Sequence, residues 1–161
     1  MRVKAVPAPP DSLATLETAR RSVPLVPEPE SNCRERLVSR TTISSETVRD
    51  WLCFLRGVGL VRKGQSGYYR TREKPSDLGE ALLSGVYGAR EVCEILRRSE
   101  RALSAEEVFE RFDVIPRWEG HHHRDPEAVW GERVERLLEW LVLFDRVGRA
   151  GGEYTLCERK Q

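Results

Sequence analysis

Two groups of side chains in this sequence carry more chemistry than a solvated scaffold needs. The first lies in SSETVRDWLCFLRG, residues 44–57, where a helical wheel puts Ser45, Arg49, Cys53 and Arg56 on one stripe, away from Val48, Leu52 and Leu55. A guanidinium on such a stripe suits a guanine edge or a phosphate, and a Ser45 hydroxyl near the helix start can meet base or backbone. Ser44 and Thr47 add hydroxyls at the same end, and the amides of residues 45–47 add donors for phosphate. Glu46 and Asp50 stand among them and oppose indiscriminate phosphate binding; they suit a cytosine amine or the orientation of Arg49. The second group flanks the turn Gly64-Gln65-Ser66-Gly67: Arg62, Lys63, Arg70 and Arg72, with Tyr69 beside them. A hairpin so charged can clamp backbone phosphates or reach into a minor groove. The competing reading is ordinary solvated charge on a small surface.

The elements that must hold these groups are legible from spacing and punctuation. Asp11 or Ser12 can cap a helix to about Ser22, with Leu13, Leu16 and Ala19 on its buried side. Pro24, Pro27 and Pro29 force an extended connector. A short helix over 31–39 and a tight turn over 41–43 lead to Ser44, which is placed as the N-cap of the next helix. Gly57 and Gly59 end that helix, and residues 60–63 and 68–72 read as the two strands of a hairpin. Alternation makes Tyr68 the core ring and Tyr69 the exposed one.

The chain then repeats itself. At an offset of 86 residues, Val48, Leu52, Leu55, Val61 and Tyr68 fall on Val134, Leu138, Leu141, Val147 and Tyr154. These are the apolar positions of a helix followed by a hairpin, so one physical unit occurs twice. After a linker at Lys74-Pro75-Ser76, the second copy reads as a helix over about 78–98, a capping box at Ser104 and Glu107, a helix over about 126–144, and strands over 146–149 and 154–157 around Gly151-Gly152.

Charge divides the copies. Residues 31–75 hold 10 basic and 4 acidic side chains, whereas residues 76–157 hold 11 basic and 17 acidic, although the whole chain carries only +1. Such asymmetry speaks of partners rather than of fold. Cys33, Cys53, Cys93 and Cys157 form no close pair, which argues against a zinc module, and a buried free thiol is the reading for Cys53. His121-His122-His123 lies in a polar loop between Gly120 and Asp125-Pro126, and adjacent imidazoles do not converge on one ion. No metal, cofactor or catalytic site assembles from the residues present, so an enzyme is not expected. Apolar runs are too short for a membrane span or a secretory signal, which points to the cytoplasm.

The segment SSETVRDWLCFLRGVGLV resembles the recognition-helix region of winged helix-turn-helix proteins, with a polar helix start, T-V-R, spaced leucines and G-L-V leading into a wing. With its second copy, the chain resembles a tandem winged-helix protein. The resemblance implies a mainly α fold with small β-hairpins (α+β) in two domains, a basic one at 1–75 and an acidic one at 76–161. It further implies a sequence-specific binder of double-stranded DNA, a transcriptional regulator, reading the major groove with the 44–56 helix and flanking backbone with the 60–72 wing. Ser44, Ser45, Thr47, Arg49, Arg56, Arg62, Lys63, Tyr69, Arg70 and Arg72 are the expected DNA contacts. Glu127, Glu132, Glu135 and Glu139 repel phosphate in the second copy, which is then left for a homodimer or a protein partner, with Trp118, Trp130 or Trp140 as anchors; for Trp140 the apolar face favours core packing instead. The alternative is a protein-interaction scaffold in a chromosome-segregation or transcription complex. A head-to-tail oligomer of basic on acidic halves is a third possibility.

Overall fold

Proline shapes the first sheet. In the computed structural model, which describes residues 2–112 and 126–157, the segment between α1 (Leu13–Ser22) and α2 (Glu30–Arg40) is bonded to the two-stranded hairpin that follows, through an isolated bridge at Glu28 and the Pro24 carbonyl. Pro24 lacks a donor but keeps its carbonyl, which accepts the Arg70 N–H at 2.7 Å. Glu28 and Tyr68 exchange both backbone bonds, at 2.8 and 3.0 Å. The hairpin itself is β1 (Val61–Gly64) against β2 (Gly67–Arg70), with Arg62 opposite Tyr69 and Lys63 opposite Tyr68. Gly67 has φ +127, and a Cβ there would lie 2.0 Å from the Glu28 carbonyl oxygen, so the closeness of the crossing requires glycine.

In α1 Leu16 and Ala19 are buried, whereas Leu13 points outward and Ser12 makes no side-chain cap. The turn after α2 is closed by Thr41, whose hydroxyl donates to the Leu37 carbonyl at 2.6 Å and accepts the Ile43 N–H at 3.0 Å. A 3-10 turn (Ser45–Thr47) then precedes α3 (Val48–Gly57). Ser44 does not cap α3 with its side chain: the tighter turn brings its Oγ to Thr47 Oγ1 at 3.1 Å instead. Val48, Leu52, Phe54 and Leu55 are fully buried and fix which face of α3 looks outward.

The helix expected over 78–98 is two helices. Asp77 caps α4 (Leu78–Gly85), accepting the Glu80 N–H at 3.1 Å. The chain then turns extended, and Val3 bridges it, donating to the Gly85 carbonyl at 2.8 Å and accepting the Tyr87 N–H at 2.7 Å. Gly88, at φ +91, restarts the chain as α5 (Ala89–Arg98). A Cβ on Gly85 would fall 1.6 Å from the Gly57 carbonyl oxygen, so α4 packs backbone to backbone on the end of α3. The compact units are accordingly Met1–Tyr87 and Gly88–Gln161, and the segment at 74–76, read from its proline as the linker, lies inside the first.

The second unit continues with β3 (Leu103–Ser104), α6 (Ala105–Glu110), α7 (Pro126–Leu143), β4 (Val147–Ala150) and β5 (Glu153–Leu156), the strands ordered β3-β5-β4. Its capping box forms as expected, with Ser104 and Glu107 each accepting the other's backbone N–H at 3.2 Å. The Arg101 guanidinium, with help from Ser104, pulls the Glu107 carboxyl down to about 2.

The repeat is exact in its scaffold. All ten residues matched at the 86-residue offset are buried. The wings share one register, Val61 to Arg70 matching Val147 to Leu156 and Lys63 to Tyr68 matching Arg149 to Tyr154. Even the left-handed residue before each wing coincides, Gly59 at φ +79 and Asp145 at φ +58. Trp130 and Trp140 are fully buried; Trp130 stacks on Phe112 at 5.8 Å and carries the Arg133 guanidinium 4.8 Å over its ring. Neither Trp is a surface anchor for a partner, because each fills the core between α7 and its neighbours. Trp118 and His121–His123 lie outside the described residues.

Candidate nucleic-acid interface

The outward face of α3 presents Ser45, Arg49, Cys53 and Arg56, as the apolar face opposite demands. Ser44, Ser45, Thr47 and Arg49 are exposed, Cys53 and Arg56 half-buried. Arg49 is not alone: its guanidinium lies 3.4 to 3.5 Å from the Glu30 carboxylate in the first turn of α2, while its side chain stays 76% exposed. Glu30 also meets Arg34 at 3.4 Å, so one carboxylate serves two cations. A pair this open is worth less than about 1 kcal/mol and yields readily to a stronger anion.

The pleat divides the wing. Tyr68 is buried on the α3 side, where burial, then Glu30, push its phenol up, and Lys63 Nζ sits 5.4 Å over its ring. Directly opposite residues share a face in an antiparallel pair, so Lys63 faces α3 with Tyr68, and Arg62 and Tyr69 occupy the reverse face. Sequence alternation put Arg70 with Tyr68 and apart from Tyr69, and the register agrees, since Arg70 stands opposite the buried Val61. Arg62, Tyr69 and Arg72 line a cleft with Leu25, Glu73, Lys74 and Pro75, which Arg70 also borders from the other face of β2.

Helix α2 supplies basic residues that spacing did not single out. Arg34, Arg36 and Arg40 line a groove with Ser39, Val38 and Ser45. Arg36 pairs with Glu28 at 3.2 Å, whereas Arg40 makes no ion pair among the described residues. The run R-E-R-x-x-x-R was the available signal; what hid it was the alternation with Glu28, Glu30 and Glu35. Among the described residues of the first unit, Arg40, Arg56, Arg62, Lys63, Arg70 and Arg72 are all without an ion pair.

The second unit answers the same geometry differently. Glu139 on α7 occupies the place of Cys53, and it accepts from the Arg149 guanidinium at 2.7 and 2.8 Å and from the Tyr154 hydroxyl at 2.5 Å. Arg149 stands where Lys63 stands in the first unit, so the wing cation of the second is held by a carboxylate of its own third helix. Burial first, then the bond to Glu139, push the Tyr154 phenol up to about 12. Arg97 and Arg98 share Glu94, Arg101 pairs with Glu107, and Arg136 pairs with Glu132.

Among the described residues no cluster of three or more His, Cys, Asp or Glu is arranged to hold a metal ion, and no helix is long and apolar enough to cross a membrane. A family model described as the halobacterial double winged helix domain matches residues 1–161. No curated protein and no solved structure matches the chain.

Proposed function

The chain belongs to the halobacterial double winged helix domain family, and from that premise we propose that it is a sequence-specific, duplex-DNA-binding regulator of transcription whose reading unit is the first. Helix α3 enters the major groove, Arg49 and Ser45 meet base edges, and Ser44, Thr47 and Arg56 meet the adjoining backbone. Lys63 and the rim of the wing lie on flanking phosphates. The observation that carries this reading is the contrast at one pair of equivalent positions: Lys63 faces α3 without an ion pair among the described residues, and Arg149 is bound to Glu139. The second unit, with 15 acidic against 11 basic residues over 88–157, serves protein contacts, pairing two chains or holding another protein. The protein is cytoplasmic and has no catalytic role in this reading.

Selection from a pool of random duplexes with the full chain tests it. The expected result is one enriched motif, bound by the wild type and weakened by Arg49→Ala together with Lys63→Ala. Recovery of no motif, with no salt-sensitive binding to any duplex, would overturn the proposal, and capture of one stoichiometric protein partner insensitive to nuclease would put the scaffold reading in its place.

A further inference from the structure

The cleft behind the wing is a second site, and we infer that it binds a single-stranded segment of nucleic acid. Its location follows from the pleat. Lys63 and Tyr68 face α3, so a duplex seated on α3 meets that side of the hairpin, and the reverse side keeps its own charge. The reverse side opens into a cleft of about 510 Å³ lined by Arg62, Tyr69, Arg72, Glu73, Lys74 and Leu25, all within the first unit, with Arg70 reaching its edge from the opposite face of β2. Thr71 builds the wall: its hydroxyl lies 3.1 Å from the carbonyl oxygens of both Gly59 and Leu60, and its N–H donates to Leu60 at 3.1 Å, folding the chain after β2 back along the strand start. That fold carries Arg72 and Lys74 to the mouth.

The lining selects a ligand class. Arg62 and Arg72 have no ion pair among the described residues, which suits a chain of phosphates; Lys74 is already committed to Glu17 at 3.1 Å, and Glu73 is the one carboxylate of the lining, so the phosphates are placed at the Arg62 and Arg72 side. Tyr69 is half-buried directly opposite Arg62, and Leu25, half exposed, lies at the same cleft. A ring beside guanidinium groups is the arrangement on which unstacked bases sit while their phosphates are neutralised. A duplex hides its bases and would use the arginines without the ring. A base-paired ligand therefore gives no role to Tyr69 and Leu25, and a single strand gives a role to both. The site does not depend on duplex reading by α3.

The test uses the full chain and fluorescence anisotropy with labelled oligothymidine and oligouridine, alone and with an excess of unlabelled duplex. The expected result is binding of the single strand that persists when duplex is added. Tyr69→Ala should weaken it about tenfold and Tyr69→Phe far less, since stacking needs the ring and not the hydroxyl. Arg62→Ala with Arg72→Ala should lower the salt slope of the single strand by roughly 1.4, at about 0.7 for each phosphate no longer neutralised. Arg49→Ala should weaken duplex binding and leave the single strand in place, which separates this site from α3: failure of duplex binding alone refutes the reading of α3, and failure of the single strand alone refutes the cleft. Absence of single-strand binding, full displacement by duplex, or indifference to Tyr69→Ala each overturns the inference.

Discussion

Lys63 and Arg149 occupy one position on two copies of the same wing, and replacing each with alanine gives the sharpest test of how the copies differ. On the α3 side of the first unit, Arg40, Arg56 and Lys63 have no ion pair among the described residues, and Arg49 has only the open contact with Glu30. If these four meet phosphates or displace their counterions, the logarithm of the association constant for duplex should fall with the logarithm of salt at a slope of about −3 to −4, at roughly 0.9 per contact. Lys63→Ala should bring the slope up by about 0.9 and weaken binding alike on every sequence. Arg149→Ala should leave slope and affinity in place, because its guanidinium is bound to Glu139 at 2.7 Å. Arg49→Ala should act on discrimination: a guanine contact is worth about 1–3 kcal/mol, so preference for the selected motif over a one-base variant should fall roughly 5- to 150-fold. Anisotropy titrations over a salt range in which the circular dichroism spectrum is constant measure all three. An unchanged slope in Lys63→Ala with a reduced one in Arg149→Ala would reverse the assignment of the two units and refute the reasoning from ion pairing.

Three stability predictions follow from named contacts. Tyr154 has its folded pKa raised to about 12 from 10, so its contribution is full below pH 10 and is lost as pH rises through 12; Glu139→Gln should narrow that window, without closing it since burial is the larger cause, as denaturant midpoints across alkaline pH would show. Glu17 is held down at about 2, foremost by its bonds to Arg20 and then to Lys74 and Arg21, so its contribution is present above about 4.5 and lost as pH falls towards 2; Glu17→Gln should remove about 1 kcal/mol of acid-labile stability after allowance for solvent screening, with the loss at neutral pH disappearing below pH 2. Gly85→Ala should destabilise the first unit by about 3 kcal/mol or more, since its Cβ would be driven into the Gly57 carbonyl; Gly131→Ala should stabilise α7 by up to roughly 1 kcal/mol, because there the new Cβ meets Phe109 at an ordinary 3.8 Å, and thermal unfolding would report opposite signs.

The scaffold was legible because it depends on apolar spacing alone. Val48, Leu52 and Leu55 recur as Val134, Leu138 and Leu141 at helical intervals, and burial follows the interval. What remained hidden depended on partners distant in sequence. Residues 24–28 read as a connector, and no strand forms there; what spacing did not show is that the Pro24 carbonyl and Glu28 bond to β2. The break between α4 and α5 was masked by Leu82, Val86, Val92 and Leu96, whose spacing continues a helical stripe across it, and only Gly85 and Gly88 marked the place. In the candidate site, residue types were legible but pairing was not. Neither the hold of Glu30 on Arg49 nor that of Glu139 on Arg149 can be read from intervals of 19 and 10 residues, which have no helical or strand period.

An internal repeat acts as its own control. Two units with the same register, the same buried positions and a left-handed residue at the same place differ in what they can bind through whatever the scaffold leaves unspecified. At the position of Cys53 and Glu139 that difference comes to one charge. A thiol there leaves the cation opposite over an aromatic ring and without an ion pair among the described residues; a carboxylate there binds the equivalent cation and, after burial, helps to push the Tyr154 phenol up. A cation already satisfied by a fixed carboxylate must give up that bond before it can release a counterion from DNA, whereas one in water need not. The basic character of the first unit is therefore a matter of uncommitted charge more than of charge count, and net charge by itself, +1 for the chain, could not have located it.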